Sequence, residues 1–137
     1  DLRMTKQELK EEHRQAEGDP MIKHRFKMLA RQRASRRMMA QVPKATLIVA
    51  NPTHYAVALR YEPEHDAAPL VLAKGLDAVA LRIRALAESH DIPVIENKPL
   101  ARALYEKAEV DAMIPHEFFR AVAELIHYLN MRRVLAR

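Results

Sequence analysis

Thr46-Leu47-Ile48-Val49-Ala50-Asn51-Pro52-Thr53-His54-Tyr55-Ala56-Val57-Ala58-Leu59-Arg60-Tyr61 places two candidate strands on either side of a four-residue link. Thr46–Ala50 is short, apolar and β-branched, the pattern of a buried strand. Tyr55–Tyr61 alternates, with Val57, Leu59 and Tyr61 on one face and Ala56, Ala58 and Arg60 on the other. Asn-Pro between them is a common turn dipeptide. It is also a bond with its own chemistry. Asparagine usually deamidates when the next backbone nitrogen attacks its side chain, but proline carries no N–H and closes that route. The remaining intramolecular reaction is attack by the Asn51 amide nitrogen on its own backbone carbonyl. That closes a succinimide and expels the nitrogen of Pro52, cutting the chain. Strands that lock the turn would supply the proximity a flexible peptide lacks. His54 stands where it could move protons or brace the turn, and both roles are open at this stage.

Outward from this stretch, the spacing predicts a third strand over Leu70–Lys74 and a fourth over Pro93–Glu96. Asp77–His90 reads as an amphipathic helix with Leu76, Val79, Ala80, Ile83, Leu86 and Ala87 inward. Pro99–Ala108 makes a shorter helix on Leu100, Ala103 and Leu104. Pro115 opens a last helix with the stripe Phe119, Val122, Ala123, Ile126 and Leu129. The order predicts an α/β fold: a compact domain over residues 43–137 with a central sheet of about four strands surrounded by helices. Before it, residues 1–42 read as an extended helical arm. Thr5-x-x-Glu8 is a capping box. Gly18 and Pro20 end a first helix near Glu17, and Asp19-Pro20 starts a second that runs to about Gln41. The stripe of that second helix (Ile22, Phe26, Leu29, Ala30) is narrow.

Charge is unevenly spread. Residues 20–60 hold nine Lys or Arg and no Asp or Glu, while residues 1–19 and 61–137 each sum to −2. Nucleic acid, an anionic membrane surface or an acidic partner could each answer such a block. The block has one aromatic before Tyr55, namely Phe26, so base stacking has little support and no nucleic-acid role is expected. There is no cysteine, which excludes disulfides and thiol catalysis. The longest apolar run is too short to span a bilayer. With neither a start methionine nor a signal peptide, the chain reads as a piece of something larger. Seven histidines show no i, i+4 pairing, so no metal site is expected. Asp77, Glu88 and Asp91 suggest no carboxylate pair, and Arg82 and Arg84 read as the solvated face of their helix. Phe118-Phe119 reads as one core and one edge residue.

Ile48 through Leu59 resembles the self-cleavage site of the FlhB/YscU family of type III export switch proteins. Ala68-Pro69-Leu70-Val71-Leu72-Ala73-Lys74-Gly75, Ala80-Leu81-Arg82-Ile83-Arg84, Pro99-Leu100-Ala101-Arg102-Ala103-Leu104-Tyr105 and Ile114-Pro115 extend the resemblance in order. Glu17-Gly18-Asp19-Pro20 and Arg36-Arg37-Met38-Met39 carry it into the arm. Ala67-Ala68-Pro69 and Lys74-Gly75 look more flagellar than injectisome. The resemblance implies an inner-membrane protein whose four membrane helices precede this piece, with the present domain on the cytoplasmic face. It implies a single cut between Asn51 and Pro52, with Asn51 as nucleophile, Pro52 as leaving side and Thr53 and His54 shaping the site. The fragments would stay associated. Cutting permits export to switch from rod and hook proteins to filament proteins, and export-gate components, a hook-length ruler protein and export substrates are the implied partners.

No cofactor is expected and no chemistry on another molecule, and the chain reads as a single-turnover self-cleaving module rather than an enzyme. An injectisome homologue with the same mechanism, or a basic nucleic-acid-binding domain, are the alternatives. One surface candidate remains: Ala68 and Pro69, which interrupt a polar loop, read as a strand start packed on the core or as an apolar patch shared with Ala123 and Ile126 that takes short export signals.

Overall fold

The computed structural model describes residues 6–135. Thr5, and with it the expected capping box, lies outside the described residues. These residues divide into two compact units, one ending at Arg37 and one beginning at Met38. In the first, helix α1 covers Lys6–Gly18, and helix α2 starts at Pro20 and continues to Gln41. Asp19 caps α2 by accepting a hydrogen bond from the Met21 N–H at 2.9 Å, satisfying one of the free donors at a helix start. Ile22, Phe26 and Leu29 are all exposed on it.

The second unit is the α/β domain. Strands β1 (Leu47–Asn51), β2 (Tyr55–Arg60), β3 (Leu70–Leu76) and β4 (Val94–Glu96) form one mixed sheet in the order β3-β2-β1-β4. β1 pairs antiparallel with β2 and parallel with β4, and β2 pairs antiparallel with β3. Helices α3 (Ala78–Ser89), α4 (Lys98–Lys107) and α5 (Phe119–Leu135) cover it. One face of the sheet presents Leu47, Val49, Val57, Leu59 and Val71 to Leu100 and Leu104 of α4 and to Phe118, Val122 and Leu129. The other presents Ile48, Ala50, Ala56, Ala58, Leu72 and Ala73 to Val42 and to Ala80, Ile83 and Ala87 of α3. A strand covered on both sides needs apolar residues at every position, which is why Leu47–Ala50 reads as a continuous run and is fully buried.

The outer edge of β3 does not stay open. Val71 N–H donates to the Ala112 carbonyl, Asp111 N–H to the Val71 carbonyl and Ile114 N–H to the Pro69 carbonyl. Pairing of this kind removes an edge that could template aggregation. Lys74 points to the α4 face, where its Nζ donates to the carbonyls of Tyr105 and Ala108 at 3.0 and 2.7 Å. It thereby closes the C-terminal end of α4.

Two expectations are corrected. The last helix does not open directly at Pro115: a 3-10 turn over His116–Phe118 precedes α5. Val122 and Leu129 are buried as expected, and Phe119 and Ile126 pack against the same core. Phe118 takes the core position, Phe119 is only half-buried, and Ala123 is exposed. The second correction is Arg84, which is half-buried rather than solvated. It follows buried Ala80 by one turn and sits at the margin of the stripe.

Candidate functional site

β1 ends on Asn51 and β2 begins on Tyr55, and the two residues are paired across the ladder. Pro52, Thr53 and His54 make the turn between them. The N–H of His54 donates to the Asn51 carbonyl at 3.2 Å. That carbonyl is the one an intramolecular cut must attack. Upstream, the Ala50 carbonyl accepts from the N–H of Asn97 at 3.0 Å, so Asn51 is held by strands on both flanks. Asn51 and Pro52 are half-buried, whereas Thr53 and His54 are exposed.

The turn is also gripped from the β3–α3 side. The His54 carbonyl accepts from the Asp77 N–H at 2.9 Å, and the Pro52 carbonyl accepts from Arg84 Nη1 at 3.0 Å. Every backbone carbonyl from Asn51 to His54 except that of Thr53 thus has a named donor. His54 Nδ1 lies 3.7 Å from Asp77 Oδ1, which is ion-pair range rather than a hydrogen bond. Both side chains are more than half exposed, at 60% and 68%, so the pair itself contributes little to stability. Its effect is to aim the imidazole.

Asp77 has φ 49° and ψ −112° and stands at the N-cap of α3 without making a side-chain cap. Backbone in that region costs about 1–3 kcal/mol and persists where the surroundings enforce it. What enforces it is the close approach of β3 and α3. A Cβ on Gly75 would lie 2.4 Å from Val79 Cγ1, so only glycine lets the strand run this near the helix. Asp77 and Arg84, neither of them expected at the site, both donate to the turn. Local periodicity carried no sign of either: Arg84 is 32 residues from Pro52 in sequence.

A second feature lies on the opposite end of β2. Ala68, Pro69, Ala123 and Ile126, joined by Phe119 and Tyr61, line an apolar groove of about 320 Å³. Ala68 and Pro69 are buried, Phe119 and Ile126 half-buried, and Ala67 and Ala123 exposed. Ala68 and Pro69 are thus packed on the core, as the first of the two readings has it, and also form the inner lining of the groove.

The loop leading into it is fixed by Asp66. Its carboxylate is 8% exposed and accepts from Arg60 Nε and Nη2 at 3.1 and 2.8 Å and from the Glu62 N–H at 2.9 Å. The Arg60 guanidinium, helped by that backbone donor, holds the Asp66 carboxyl below the usual carboxylate range. A lowered folded-state value stabilises the fold above the ordinary carboxylate range, and the stabilisation is lost as pH falls through the lowered value. Asp66→Asn should therefore lower the thermal midpoint by a few degrees at neutral pH. The gap to wild type should close on acidification, as read by thermal unfolding across pH.

A family model described as the FlhB HrpN YscU SpaS family matches residues 1–129. The flagellar biosynthetic protein FlhB of Bacillus subtilis is 50% identical over 128 residues, covering 93% of this chain and 36% of that protein. Its counterpart in Yersinia enterocolitica is 54% identical, covering 93% and 33%. The chain thus spans about a third of the length of the curated relatives it matches. Among solved structures, the cytoplasmic domain of FlhB from Shewanella putrefaciens is similar with a TM-score of 0.69 at 46% identity, covering 72% of this chain and 76% of that one. A mutated EscU C-terminal domain gives 0.63 at 45% identity, covering 66% and 97%. Described sheet, turn and relatives agree, and the chain belongs to the FlhB, HrpN, YscU and SpaS family.

Proposed function

We propose that this chain is the cytoplasmic domain of a flagellar type III export component that cuts itself once, between Asn51 and Pro52. The observation that carries the reading is the 3.2 Å hydrogen bond from the His54 N–H to the Asn51 carbonyl, inside a turn held by two paired strands. A donor fixed on the carbonyl that will be attacked stabilises the oxyanion as it develops. The Asn51 side-chain nitrogen forms the new bond to that carbonyl carbon and gives up a proton. The bond to the Pro52 nitrogen breaks, and that nitrogen takes a proton to become a new amino terminus. The succinimide then opens with water. His54 serves twice: its backbone braces the carbonyl, and its exposed imidazole, aimed by Asp77, exchanges protons with solvent. Each chain performs this once.

After the cut the domain acts as a docking platform that shifts export from rod and hook proteins to filament proteins, at the cytoplasmic face of the inner membrane. Export-gate components, the hook-length ruler protein and the substrates themselves are its partners. The groove beside Ala68 and Ala123 takes a short apolar export signal. Ala123→Asp places a charge on an exposed lining position and should reduce site-specific crosslinking of an early export substrate about tenfold or more, the size expected for an unpaired charge in an apolar contact. Unchanged crosslinking would remove the groove from the reading. The relatives named flagellar favour the flagellar branch over an injectisome one. Intact mass of purified protein tests the central step: two chains meeting at Asn51 and Pro52 are expected, and a single chain would overturn it.

A further inference from the structure

We infer that Arg84 is a positioning residue for the cut, acting through the Pro52 carbonyl. The inference rests on the self-cleavage reading and adds a residue on α3 that never touches Asn51 in sequence. The proline ring fixes φ of Pro52, leaving rotation of its own carbonyl as the main local freedom. Arg84 Nη1 takes that freedom away by donating to the Pro52 oxygen at 3.0 Å. The leaving side of the scissile bond is then immobile while the Asn51 amide turns onto its carbonyl. Immobilising one reacting partner is worth orders of magnitude in rate.

Two anchors, one from the β3–α3 junction and one from α3 itself, accomplish this. Asp77, just before α3, holds the His54 carbonyl, and Arg84 holds that of Pro52. The first donor is a backbone N–H and the second a long side chain, and they reach opposite ends of the same turn. The side chain is not there for packing alone. Among the described residues, Arg84 Nε is buried with no hydrogen-bond partner, and an orphaned donor weakens a fold rather than strengthening it. An unbranched apolar side chain of similar length would remove that penalty while losing the grip on Pro52.

This opposition separates a positioning role from a structural one. Cutting is followed by gel during cell-free synthesis of the whole chain, and thermal midpoints are compared in chains that also carry Asn51→Ala, so that all are uncut. Arg84→Met should slow the cut at least about tenfold with the midpoint unchanged or raised. Arg84→Lys, which keeps a cationic donor, should recover most of the rate. Arg82→Met, on the exposed neighbour, should cut like wild type. Cutting of Arg84→Met at the wild-type rate would overturn the inference, as would slowing that tracks a lowered midpoint and is not rescued by lysine. If the wild-type chain itself stays whole, the self-cleavage reading falls and takes this inference with it.

Discussion

Asn51→Ala is expected to leave one chain of 15.8 kDa where the wild-type protein should yield two, the second beginning at Pro52. The effect should be all-or-none because alanine has no nucleophile. Amino-terminal sequencing of the second piece locates the bond, and any other start would point to a contaminating protease. The two pieces should nevertheless elute as one under native conditions. β1 is the third strand of four and is laddered on both sides. Leu47, Ile48 and Val49 are fully buried, and at about 1.5–3 kcal/mol for each side chain they alone outweigh the loss of a single turn hydrogen bond. That bond, from His54 to Asn51, is the contact the cut frees. Denaturant should separate the pieces; separation in plain buffer would contradict the sheet order.

Gly75→Ala is expected to damage both stability and cutting. The added Cβ meets Val79 Cγ1 at 2.4 Å, Val79 Cβ at 2.8 Å and the Ala80 nitrogen at 3.1 Å. Val79 is β-branched and stiff on its helix, and the Ala80 contact is backbone, so neither can simply move aside. Overpacking of this kind costs about 1–3 kcal/mol. For a unit of roughly a hundred residues, each kcal/mol lowers the thermal midpoint by about 4–8 °C. Relief requires α3 to shift away from β3, which carries Asp77 and Arg84 off the turn. Cutting should slow together with the fall in midpoint. A lowered midpoint with an unchanged cutting rate would show that α3 does not hold the turn.

Much of the fold was legible because its signals are local. The run Thr46–Ala50 and the alternation of Tyr55–Tyr61 marked the two central strands within a residue of their observed ends. Asp19-Pro20 marked the start of α2 through a cap that operates over two residues. Phe118 and Phe119 are one core and one edge residue as expected, but which is which has a different origin. Both are equally apolar, and which of the two is buried is decided by how the segment docks on the α4 face of the sheet. Likewise Ala68, Pro69, Ala123 and Ile126 were visible as apolar residues, yet their convergence with Phe119 and Tyr61 on one groove depends on packing α5 beside the end of β2.

The covalent chemistry of the turn was determined by sequence alone. Proline after asparagine removes one N–H and so decides which carbonyl is open to attack, whatever the rest of the chain does. Tertiary structure decided what holds that carbonyl and its neighbours. Asp77 and Arg84 reach His54 and Pro52, respectively, only because Gly75 lets α3 lie against β3, and no periodicity near residue 51 encodes a contact 32 residues away. Bond reactivity is a property of adjacent atoms. Alignment is a property of the packed sheet and helix, where distant donors meet the turn.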